Sequence, residues 1–81
     1  SGHFIYDLNL EPTGFTVIAN PNVFLIFDAD LNWTSFGVSN NDSGFNIFDL
    51  NNGWINYWVS NLKNGFNVYS LDLDWVGFVV G

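Results

Sequence analysis

The sequence predicts an all-β chain built from four 21-residue strand–turn–strand repeats. Three observations carry that reading. The chain repeats with a period of 21, apolar residues fall two apart inside each repeat, and Asn- and Gly-rich segments separate one repeat from the next. A single domain covers residues 1–81, with repeats at 2–22, 23–43, 44–64 and 65–81.

The repeats read GHFIYDLNLEPTGFTVIANPN, VFLIFDADLNWTSFGVSNNDS, GFNIFDLNNGWINYWVSNLKN and GFNVYSLDLDWVGFVVG. The second and third agree at 8 of 21 positions, and most mismatches keep the residue class. Ile5, Ile26, Ile47 and Val68 form a β-branched column, followed by Tyr6, Phe27, Phe48 and Tyr69. Trp33, Trp54 and Trp75 align, with Pro12 in the first repeat. Phe15, Phe36, Tyr57 and Phe78 make a second aromatic column, and Val17, Val38, Val59 and Val80 are identical.

The first strand of each repeat follows from alternation, as in Tyr6-Leu8-Leu10 and Phe27-Ala29-Leu31. The second follows from Thr34-Phe36-Val38 and Ile55-Tyr57-Val59. The parity slips by one between the two stretches, so a turn or β-bulge is expected near positions 32, 53 and 74. Turns between repeats are marked by Asn20-Pro21-Asn22, Asn41-Asp42-Ser43-Gly44 and Lys63-Asn64-Gly65. No 3.6-residue stripe supports a helix.

Two architectures fit. Each repeat is one turn of a β-solenoid-like stack, or the chain runs as an antiparallel meander with long bulged strands. Column identity is what in-register stacking rewards, and it tilts the expectation toward the stack. Either arrangement is expected to leave open sheet edges, guarded only by Lys63, Pro12 and Pro21 and uncapped at the C-terminal GFVVG.

Composition bounds the function. The chain has no Cys, so it has neither disulfides nor thiolate metal sites. One Lys, no Arg and a net charge of −7 speak against nucleic acid as a partner. The longest apolar run, Val23 to Phe27, is strand-sized, so no transmembrane helix is expected. An outer-membrane strand set also has aromatic and alternating patterns, but here Asp and Asn alternate with Leu over too few residues, and eight short strands would be needed. No initiating Met is present, which fits a cleaved leader and an extracellular or cell-surface location; an excised repeat array fits as well.

Asp7, Asp28, Asp30, Asp49, Asp72 and Asp74 are the candidate metal ligands, because oxygens two apart on a strand suit Ca²⁺, the one candidate cofactor. The competing reading is a solvated polar face. In the stack, Asp7, Asp28 and Asp49 would lie about 4.8 Å apart and call for a counterion. Trp33, Trp54, Trp58 and Trp75 are the candidate binding residues, as an aromatic stripe that stacks on sugar rings; packing is the competing role. His3 stands in a column otherwise held by Phe24, Phe45 and Phe66, so it is expected to fill a Phe slot, and catalysis has little support.

In repeat length and aromatic content the chain resembles choline-binding and glucan-binding cell-wall modules. In period and turn content it resembles curli-type functional amyloid. Neither set of signature residues is present, so no residues carry over. The expected function is a non-enzymatic structural protein that self-assembles, through β edges and aromatic faces, into an extracellular fibre or other polymer. The alternative is a carbohydrate or cell-wall binding module using the Trp column.

Overall fold

The computed structural model describes residues 2–81 as eight β-strands and no helix among them. The strands are β1 (Phe4–Asp7), β2 (Pro12–Asn20), β3 (Val23–Asp28), β4 (Trp33–Ser39), β5 (Gly44–Asp49), β6 (Trp54–Ser60), β7 (Gly65–Ser70) and β8 (Trp75–Val80). Each pairs antiparallel with the next, and β1 pairs with β8 through Phe4↔Val80 and Tyr6↔Phe78. The sheet is a closed barrel.

The meander is therefore the arrangement adopted, and the expected tilt toward a stack is overturned. Equivalent residues do not sit on neighbouring strands. They recur on every second strand, so column identity reflects one hairpin repeated round a ring. Closure also removes the open edges the sequence reading expected, because every strand has two hydrogen-bonded neighbours.

Four matching bulges supply the parity slip. Thr13, Thr34, Ile55 and Val76 are the extra residues, each left out of the pairing between strands of one repeat. Each bulge bends its hairpin and increases the local twist, as closing a small barrel requires.

The turns within repeats share one device. The Asp7 Oδ1 atom accepts the Asn9 and Glu11 N–H groups at 2.8 and 3.1 Å. Asp28 does the same for Asp30 and Asn32, and Asp49 for Asn51 and Gly53. Ser70 substitutes its hydroxyl, accepting from Asp72 and Asp74. Leu10, Leu31, Asn52 and Leu73 occupy equivalent turn positions at φ of 65°, 69°, 65° and 72°. The turns between later repeats use Asn40 and Asn61 the same way, each Oδ1 accepting from residues two and four further on.

Sixteen positions face the interior in four sets of four, three of them glycines, with alternate strands contributing each set, as small barrels fill. His3, Phe24, Phe45 and Phe66 lie toward the Asn-rich turns. Thr16, Gly37, Trp58 and Val79 come next and are all buried. Ile5, Ile26, Ile47 and Val68 follow, with Ile47 only 1% exposed. Gly14, Ser35, Asn56 and Gly77 face the other end.

Candidate functional site

The outer wall is the unusual surface. Strand alternation turns five columns outward: Phe4/Leu25/Asn46/Asn67, Tyr6/Phe27/Phe48/Tyr69, Pro12/Trp33/Trp54/Trp75, Phe15/Phe36/Tyr57/Phe78 and Val17/Val38/Val59/Val80. Of these twenty positions only Asn46 and Asn67 are neither apolar nor aromatic. An antiparallel sheet with one wet face would alternate apolar and polar residues. This barrel is apolar on both faces.

Four aromatic pairs stack across the seams between repeats. They are Tyr6–Phe78, Phe15–Phe27, Phe36–Phe48 and Tyr57–Tyr69, with ring centroids 5.3 to 5.6 Å apart. Each joins residues directly opposite on neighbouring strands, the pairing that contributes most to a sheet surface.

The Trp column forms a belt at one end. Trp33, Trp54 and Trp75 open β4, β6 and β8 and are 48%, 51% and 52% exposed. They stand about a quarter turn apart round an eight-stranded ring, so their rings face different directions. They do not form the single flat stripe expected for one sugar chain. Trp58 belongs elsewhere. It is 2% exposed, inside the barrel, and stacks on Phe24 at 4.9 Å. Its parity could have placed it, since it aligns with Thr16, Gly37 and Val79 and not with the other Trp residues.

Beyond the Trp belt lie the turns within repeats. They carry Asp7, Glu11, Asp28, Asp30, Asp49, Asp72 and Asp74, seven of the eight carboxylates in the chain. Asp42 lies at the opposite end, beside the turn that holds Lys63. The candidate metal ligands are spread round this rim, one hairpin after another, and not stacked in register. Asp7, Asp28 and Asp49 each turn an oxygen into their own loop. Among the described residues no three His, Cys, Asp or Glu side chains come together as a metal-holding group.

Exposed leucines share that end. Leu10, Leu31 and Leu73 are 70%, 72% and 73% exposed, and all three are held at positive φ. Such a backbone costs an L-residue about 1–2 kcal/mol, and Leu gains no packing there. Neither local propensity nor core burial accounts for Leu at these positions.

Comparison with known protein families, curated proteins and solved structures finds no match.

Proposed function

We propose that this chain is a non-enzymatic barrel that works through its outer wall, embedded in the apolar layer of a membrane at a cell surface. One observation carries the reading: the apolar wall runs round every strand of a closed ring. A single protein partner covers one side of a cylinder. Lipid covers all of it. Closure satisfies the backbone groups that an apolar medium cannot. The Trp belt with a carboxylate rim beyond it matches the order of an aromatic girdle and a wet headgroup layer.

The dimensions sharpen the proposal. A seven-residue strand such as β4 is about 23 Å long, and a barrel tilt of ~35–45° leaves about 17 Å of height. The apolar band of outer-membrane barrels is about 25 Å tall. The expected environment is therefore a thin bilayer, with the turn leucines at its headgroup boundary.

The test is reconstitution into dilauroyl and dioleoyl phosphatidylcholine vesicles. The expected result is co-flotation and a blue shift of Trp emission, both stronger in the thinner bilayer. Dispersed monomers in water that ignore both vesicles overturn the proposal.

A second reading keeps self-assembly, now through the wall and not through edges. Asn46 and Asn67 favour it, because they flank β6 on opposite sides, paired with Tyr57 and Val59. Amides on an apolar wall gain partners when two walls meet. Filaments in lipid-free buffer that vanish in Asn46→Leu/Asn67→Leu support this second reading.

A further inference from the structure

We infer that the end of the barrel ringed by the Asn-rich turns is a binding site for one small, uncharged aromatic molecule. A cavity of about 170 Å³ opens there. Its walls include His3, Thr16, Phe24, Phe45, Trp58 and Phe66. This inference concerns the interior and does not depend on what covers the wall.

Four of those rings form a closed circuit. Phe24 meets Phe45 at 4.6 Å, Phe45 meets Phe66 at 5.6 Å, Phe66 meets Trp58 at 5.7 Å, and Trp58 returns to Phe24 at 4.9 Å. The angles between planes run from 27° to 80°. A further ring finds edge-to-face and offset contacts there without rearranging the circuit. Below it, Ile26, Ile47 and Val68 close the barrel.

Size and polarity define the ligand. An apolar cavity of about 150 Å³ in another protein stays dry and admits benzene. This one is of that order, so one six-membered ring with a small substituent fits and a lipid tail does not. Among the described residues no Asp, Glu, Lys or Arg lines it, and an ion left there would lose its hydration uncompensated. The polar groups sit at one side. Thr16 Oγ1 already accepts the His3 N–H at 2.9 Å, and the His3 ring stands 5.7 Å from Phe66. With Asn20 at the rim, they offer hydrogen-bonding handles that suit a phenol or an aniline better than a bare hydrocarbon. Ile18, exposed at the lip, governs access.

The experiment uses Trp33→Phe/Trp54→Phe/Trp75→Phe, which leaves Trp58 as the sole indole, in maltoside micelles. Toluene, phenol and tetramethylammonium are titrated against Trp58 emission and against ring-proton shifts of Phe24 and Phe66. Saturable responses to toluene and phenol are expected, with phenol the tighter. Ile18→Phe, which narrows the lip, is expected to weaken both about tenfold, equivalent to about 1.4 kcal/mol. Val59→Phe, on the outer wall, leaves both unchanged. A linear response equal in the two variants means partition into the micelle and overturns the inference. Preference for tetramethylammonium overturns it as well, since it makes the aromatic circuit a cation cage.

Discussion

The ring of Phe24 fills the space that a side chain at Gly37 would need. An ideal Cβ at Gly37 overlaps the Phe24 ring edge and lies 3.0 Å from Ile47 Cδ1. Gly37 and Trp58 hold equivalent repeat positions, yet one has no side chain and the other has the largest. The barrel core is thus filled asymmetrically by a fourfold sequence. Gly37→Ala is expected to destabilise the fold by about 1–3 kcal/mol through overpacking. Phe24→Leu in the same chain is expected to restore part of that loss, read by chemical denaturation of the single and double variants.

Trp58→Ala is expected to cost about 3–5 kcal/mol, since it empties the centre of the core. Trp54→Ala, on the belt, is expected to change thermal stability little while weakening vesicle association. Equal stability losses in the two variants would contradict the different places assigned to these residues.

Leu31→Asn is expected to stabilise the barrel by about 1 kcal/mol. Asn tolerates the left-handed backbone, and Asn52 already occupies the equivalent turn position at φ 65°. The same change is expected to reduce partition into dilauroyl vesicles, because it removes an exposed apolar side chain. A rise in Tm with unchanged partition would show that the turn leucines take no part in lipid contact.

Asp28→Asn is expected to keep the barrel folded, whereas Asp28→Ala lowers Tm. The Asn side chain retains the Oδ1 acceptor that holds Asp30 and Asn32, as Asn40 and Asn61 do in the other turns. Equal Tm values for the two variants would remove the acceptor from the account of this turn.

Asn56→Ser is expected to stabilise the fold by about 1 kcal/mol. Among the described residues Asn56 Oδ1 is buried without a hydrogen-bond partner, and the equivalent position in the second repeat is Ser35. A lower denaturation midpoint for Asn56→Ser would show that the amide has a partner in solution, such as a bound water.

The repeat, the strand period and the turns between repeats were legible because each is written locally, but Leu8-Leu10 and Ala29-Leu31, expected as strand from their alternation, lie in turns. The slip in parity between Phe27-Ala29-Leu31 and Thr34-Phe36-Val38 announced a bulge, and Thr34 is one. Closure was not legible, since it depends on strand number and stagger and on no single residue. The inward face was obscured for a different reason. Tyr57 and Trp58 are both large and aromatic, so residue type did not say which one the barrel buries; only the parity of Ile55-Tyr57-Val59 puts Trp58 on the other face. The chain spacing of the acidic columns suits a cation or a solvated face; their role in the turns was hidden because it depends on carboxylate oxygens curling back onto N–H groups two and four residues ahead. The aromatic circuit was half visible in the column of His3 with three Phe residues, but the missing piece, Trp58, came from another column.

The placement of the carboxylates makes the molecule polar along its axis. Seven lie at one end and one at the other, beside the turn that holds the only Lys. Dragging the seven through hydrocarbon is far costlier than passing Asn-rich loops with little net charge. A barrel that enters a bilayer from one side would then lead with its Asn-rich end and leave the acidic rim behind. Every copy would point the same way, and a protease added outside would find only one set of hairpins.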